Sequence, residues 1–318
     1  MAGSNLPVSS YSSSRIISVL TFLSVVMAVH FIWGWGDLLS FWKKIPLPQL
    51  MVFTLLYWMS YLIRSYRISV YFRSPSLTLP LKHVLFIVVK QTFWSNLLPA
   101  KTGEISFPIL MKQVFKMSFT RSVPGLLVLR LFDAFVLGTM VLAVLIYAYI
   151  GYWAFAWLLI SVFIPLAGIF LKSRLQRLVE RHSQNRIARF VEKVLPGIPS
   201  HFGQLIHISV LSWINWGVKI FLLASLLASM THLGILQTVI ASILGEVSGM
   251  MPGLPGGFYS YEAAVAFGLF TSSDMPHLAD SGMIAAALNA HFFILFQSIL
   301  GAMILFLFPG QYVTEKGP

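Results

Sequence analysis

Asn96-Leu97-Leu98-Pro99-Ala100-Lys101-Thr102-Gly103-Glu104 interrupts an apolar run over residues 83–117, and Pro252-Gly253-Leu254-Pro255-Gly256-Gly257 interrupts another over 235–270. Proline removes a backbone donor and clashes with the preceding turn, while glycine frees the backbone, so each stretch ends one helix and lets another begin. Each run therefore reads as a helical hairpin. The arms hold about 14 to 17 residues, roughly 21 to 26 Å of helix against a hydrocarbon core of about 30 Å. Hairpins that turn back inside the membrane follow from those lengths.

The sequence around them is apolar throughout. Hydrophobic types make up 57% of the 318 residues and charged types 10%, against about 25% charged in a typical soluble domain, which argues against a water-soluble fold. Lys and Arg outnumber Asp and Glu by 22 to 10, a net +12. The apolar fraction leaves too little polar surface for a nucleic-acid-binding face, so the basic residues are assigned to anionic lipid headgroups. The absence of cysteine excludes disulfides, thiolate metal sites and cysteine nucleophiles. Six further apolar stretches are long enough to span: 16–34, 50–71, 123–150, 153–171, 205–230 and 282–308. The first lacks a small-residue cleavage site and is read as a retained span.

With the N-terminus inside, sixteen Lys and Arg fall in loops on the cytoplasmic side, among them Arg64, Arg67, Arg73 and seven residues from Lys172 to Lys193. Only Lys43 and Lys44 fall on the other side, and residues 231–281 contain neither Lys nor Arg. Positive loops stay inside, so both termini are expected in the cytoplasm. The first hairpin then enters from the cytoplasm and the second from outside. The expected fold class is an all-α polytopic membrane protein, one transmembrane domain over 1–318. It has about six transmembrane helices plus two oppositely oriented re-entrant hairpins in an inverted repeat of halves 16–150 and 153–308. The basic segment 171–200 reads either as interfacial helices on anionic inner-leaflet lipids or as a soluble linker between the halves.

Ionisable groups inside a membrane are costly and mark candidate sites. Lys90, Asn96, Lys101 and Glu104 lie in or at the first hairpin break. Arg130 and Asp133 lie one turn apart in a span, Lys219 in another, and Glu246 and Glu262 flank the second break with its hinge Gly256-Gly257. Returning arms that begin near Glu104 and Phe258 would point two helix N-termini at the midplane, where free N–H groups favour an anion. A phosphate ester suits that place, with Lys90 and Lys101 supplying charge and Asn96 neutral hydrogen bonds. Glu104 and Glu262, in the first turns, would repel a phosphate if ionised. They cap the arms, receive a cationic headgroup or carry a coupling proton. Arg130 with Asp133 is either a structural ion pair or part of the site touching a hairpin, and Lys219 is either paired or snorkelling. The eight His show no metal spacing, and no nucleophile elbow, phosphate loop or dinucleotide fingerprint occurs, so neither cofactor nor catalysis is expected.

The run from Asn96 to Glu104, the Arg130-x-x-Asp133 pair, and Pro255-Gly256-Gly257 followed by Glu262-Ala263-Ala264 resemble the lysylphosphatidylglycerol synthase transmembrane-region family, in order and spacing over nearly the whole chain. The resemblance implies a bacterial inner-membrane protein that moves a lipid between leaflets. It implies the stand-alone flippase-like type, without the soluble aminoacyl transferase domain of bifunctional members. This chain departs from the family at Phe107, where Arg is frequent, at Leu129, where Glu precedes the R-x-x-D motif, and at Tyr259 and Tyr261, where Gly and Arg are usual. More rings and fewer charges suit a less charged or sugar-bearing headgroup. The leading expectation is a flippase for an anionic phospholipid or a polyprenyl-phosphate-linked lipid. The alternatives are a secondary transporter of a small organic anion and an intramembrane lipid-modifying enzyme.

Overall fold

The structure, a computed structural model, describes residues 8–74, 77–168, 172, 174, 176–177, 179, 191–192, 194–199, 201–251, 254–271 and 281–307. Among them the chain is helical, with no strand. The helices are α1 (Val8–Ala28), α2 (Trp35–Ser40), α3 (Leu47–Phe72), α4 (Leu81–Leu97), α5 (Ser106–Phe115), α6 (Phe119–Ile150), α7 (Trp153–Ser161), α8 (Phe202–Met230), α9 (Ile235–Met250), α10 (Ser260–Thr271) and α11 (Ser281–Leu307). Length and apolarity suit α6, α8 and residues Gly282–Leu307 of α11 to crossing a bilayer. Their outward faces carry large apolar groups, including Phe221, Phe296 and Phe306. Lipid is the solvent such faces require, and the protein is a multi-pass membrane protein.

The other three expected spans differ in form. After α1 the chain passes through a π-helical turn, Val29–Trp33, and bends by 91° at Gly34 into Trp35–Lys44. Gly34 takes φ +76°, a conformation that glycine adopts at little cost. α3 is continuous for 26 residues, about 39 Å at 1.5 Å per residue. It extends through Arg64 and Arg67, so these are helix residues and not loop residues as the charge pattern suggests. The stretch 153–171 is shorter than expected, since α7 has nine residues and a 3₁₀ turn, Ile164–Leu166, follows around Pro165. Residues 169–171 and most of the basic segment lie outside the described residues, but 172, 174, 176, 177 and 179 within it are helical.

Both proline-glycine stretches do break helices. The first separates α4 (17 residues) from α5 (10) through a 3₁₀ turn, Pro99–Ile105; the second separates α9 (16) from α10 (12) through Pro255–Gly257. No arm exceeds about 26 Å, below the ~30 Å of the hydrocarbon core. Element order repeats across the chain, since α3, a broken pair and α6 are echoed by α8, a broken pair and α11. α9 and α10 pack closely because small residues meet. A Cβ on Gly268 would lie 2.5 Å from the Ala241 Cα, and one on Gly245 would lie 2.5 Å from Val265.

Two compact units draw on both sequence halves. One comprises residues 1–50, 91–104 and 223–302, the other 51–90, 105–222 and 303–318. The first is built on an apolar cluster of Val25, Val29, Leu38, Phe258, Ala285, Leu288 and Leu295 and contains both breaks. The second unites α3, α6 and the first part of α8 around a buried ion pair.

Candidate functional site

In the first unit α1 holds both breaks. Ser18 Oγ donates to the carbonyl of Leu97, the last residue of α4, at 3.1 Å. The Ser24 and Tyr259 hydroxyls meet at 2.7 Å, and Phe22 packs edge-on against Phe258 with ring centroids 5.3 Å apart. Ser18 and Ser24 are six residues apart, about 9 Å along the helix axis. The chain can reverse tightly beside α1 because Gly257 and Tyr259 take φ +82° and +68°. Glycine does so freely, whereas tyrosine does so at a cost of about 1–2 kcal/mol.

The break leads into a buried acid–base pair. Glu262, in the first turn of α10, places Oε1 2.5 Å from Nδ1 of His291 on α11, and both residues are buried, at 5% and 2% exposure. The two groups are hydrogen-bonded, with the donor set by the tautomer of His291. The imidazole packs against the rings of Phe258 and Tyr261, with centroids 4.7 Å from each. Glu262 Oε2, the Tyr261 hydroxyl and Asn289 Oδ1 are buried without a hydrogen-bond partner, although Asn289 Nδ2 donates to the carbonyls of Leu38 and Ala285. Glu246 is also buried; Tyr261's ring packs against its neighbour Gly245. Buried polar atoms are normally paired, so this group has capacity for a polar ligand.

At the first break, Asn96 Nδ2 and Ser95 Oγ are buried without hydrogen-bond partners. Gly103 lies so close to α4 that a Cβ there would sit 2.3 Å from the backbone of Trp94 and Ser95. Glu104 is half-buried and lies in the 3₁₀ turn before α5 begins at Ser106. It therefore precedes the helix, in contrast to the expected first-turn position, which Glu262 does occupy. The backbone of Lys101 belongs to the same 3₁₀ turn and that of Gly256 to the turn at the second break, but the Lys101 side chain, like Pro252 and Gly253, lies outside the described residues.

The remaining predicted residues lie in the second unit. Asp133 accepts from Arg67 through both oxygens, at 2.6 and 3.2 Å, and from Trp216 Nε1 at 3.0 Å. Arg130 approaches at 3.4 Å, and Arg67 also donates to Ser212 Oγ at 2.8 Å. Arg67 and Asp133 are 1% and 3% exposed. These partners come from α3, α6 and α8, so Asp133 clamps three long helices and the expected contact with a hairpin is not what holds it. Lys219, one turn after Trp216, places its ammonium 5.2 Å from that ring's centroid; Lys90 lies similarly over Phe86 at 5.1 Å. Both cations are half-buried against aromatic faces, which attract them electrostatically.

The structure thus gathers Asn96, Glu246, Glu262 and the two breaks in one unit and Arg130, Asp133 and Lys219 in the other. Arg67, His291, Ser18 and Tyr259 were not anticipated as site residues. A rule that flags every ionisable group inside an apolar helix finds His291, which is overlooked when histidine is counted as uncharged. Among the described residues no group of three His, Cys, Asp or Glu could hold a metal ion. The sequence matches the family described as Lysylphosphatidylglycerol synthase TM region over residues 15–301. No curated protein and no solved structure matches the chain.

Proposed function

The chain belongs to the lysylphosphatidylglycerol synthase transmembrane-region family, and from that premise we propose that it moves a lipid with an anionic headgroup, a phospholipid or a polyprenyl-phosphate-linked lipid, between the leaflets of a bacterial inner membrane. The observation that carries this reading is α1 pinning both helix breaks about 9 Å apart along its axis, beside the buried Glu262–His291 pair. Broken helices supply backbone groups where a passing headgroup loses water, and the acyl or prenyl tail stays in lipid.

Lys101 supplies the attractive charge at the first break, and Asn96 and Tyr261 supply neutral donors. Both termini lie in the cytoplasm in this reading, and no covalent chemistry is assigned.

The test is leaflet exchange of labelled anionic and zwitterionic lipids in proteoliposomes, with variant abundance controlled. Protein-dependent exchange of an anionic lipid is expected. Lys101→Ala should lower it about 10- to 150-fold if binding limits the rate, as for loss of one charged hydrogen bond. Glu262→Gln and His291→Gln, which alter the buried pair beside the second break, should each lower exchange. Uptake of a soluble organic anion without lipid exchange would make the protein a solute carrier, and a covalently altered lipid would make it an enzyme; either result overturns the proposal.

A further inference from the structure

The second unit holds a cavity that this reading does not use. It has a volume of about 350 Å³ and is bounded by the end of α3, the start of α6, Lys172 and the turn around Gly197. Cavities from roughly 300 Å³ upward are of ligand size. Three cations line it, Arg73, Arg121 and Lys172, and no carboxylate does so among the described residues.

Hydrogen bonds fix its walls. Gln204 Nε2 donates to the carbonyls of Val70 and Tyr71 at 3.1 and 2.8 Å, and the Tyr71 hydroxyl donates to the Gly197 carbonyl. Arg121 Nη2 donates to the Phe72 carbonyl at 2.7 Å, and Lys172 Nζ to the Ile198 carbonyl at 2.8 Å. Carbonyls orient the Arg121 guanidinium without neutralising it, and its remaining N–H groups suit a doubly coordinated oxyanion. Arg73 is exposed at the rim.

Beside it runs an apolar groove of about 200 Å³, lined by residues such as Leu131, Phe135, Ile164 and Leu205. Ile198 lines both spaces, and Gly197 fits so tightly over α6 that a Cβ would lie 2.7 Å from the Pro124 carbonyl oxygen. A basic polar cavity sharing a wall with an apolar groove has the two-part character of a phospholipid. We propose that this is a binding site for one phospholipid of net negative charge, its headgroup between Arg73, Arg121 and Lys172 and an acyl chain along the groove over α6. Its lining includes no residue of the helix breaks, and it does not depend on the protein being a flippase.

The test measures binding, not transport, to the full chain in detergent. The probes are dioctanoyl phosphatidylglycerol, dioctanoyl phosphatidylcholine and glycerol 3-phosphate, together with a phosphatidylglycerol carrying a photoreactive acyl chain. Phosphatidylglycerol should bind in preference to phosphatidylcholine, and its photoproducts should map to residues 128–135 or 194–205. Arg73→Gln and Arg121→Gln should each weaken it about tenfold or more, Leu131→Trp should weaken it by filling the groove, and Lys43→Gln should leave it unchanged. Arg73 is exposed, so its variant remains informative even if Arg121→Gln fails to fold. Equal affinity for the two lipids, wild-type affinity in both arginine variants, or photoproducts only elsewhere would overturn the proposal. Glycerol 3-phosphate binding as tightly as the lipid would assign the cavity to a soluble phosphate ester and overturn the lipid assignment.

Discussion

Asp133→Asn keeps the shape of its side chain and removes the negative charge that Arg67 and Arg130 both face. Arg67 is 1% exposed and cannot turn to water, so the variant leaves a buried cation uncompensated, at a cost of about 3–5 kcal/mol. A large drop in unfolding temperature in detergent is the expected outcome, and wild-type stability would show that the pair is not the clamp described. Tyr259 raises a different question, because its φ of +68° makes glycine the locally easier choice. The hydroxyl contact with Ser24 offsets that strain. Tyr259→Phe removes only the contact, and a loss of about 0.5–1.5 kcal/mol is expected from the same measurement. Neither relationship was legible in the sequence. Arg130-x-x-Asp133 is visible as a local pair, but the partner that matters, Arg67, is 66 positions away on another helix and resembles a loop cation.

The breaks themselves were legible, because proline and glycine act on the backbone locally and need no tertiary partner. Packing between elements was not. α9 and α10 touch through Gly268 over Ala241 and Gly245 over Val265, whereas Gly249 on α9 has open space around it. Gly268→Val should therefore force the two helices apart and cost about 1–3 kcal/mol as overpacking. Gly249→Val at the other position meets nothing and should be tolerated. Unfolding temperature measured on the two variants side by side tests this, and equal effects would contradict the packing described. The bend of 91° at Gly34 was equally hidden, since residues 16–34 have the composition of a straight span. The turning residue was present in the sequence, but whether a chain bends at a glycine depends on what α2 packs against, here the Asn289 side chain that donates to the Leu38 carbonyl.

For the whole molecule, the charge distribution predicts an orientation that labelling can test. Finding Arg64 and Arg67 within α3 removes two residues from the loops expected to be cytoplasmic but leaves a large excess of Lys and Arg there, while residues 231–281 still contain none. Long apolar helices alone do not reveal which side is which; loop charges do, because cationic loops are retained in the cytoplasm. The chain contains no cysteine, so single cysteines can be introduced and labelled with a membrane-impermeant thiol reagent against a silent background. Lys43→Cys should be labelled in vesicles that expose the outer face. Arg73→Cys and Arg177→Cys should be labelled only after the inner face is opened. In the same preparation a cysteine replacing Gly257 should react slowly from either face, because the break it marks is held against α1 within the packed unit. Rapid labelling of Lys43→Cys from the inner side alone would invert the topology, and rapid labelling at 257 from bulk water would place the second break outside the bilayer.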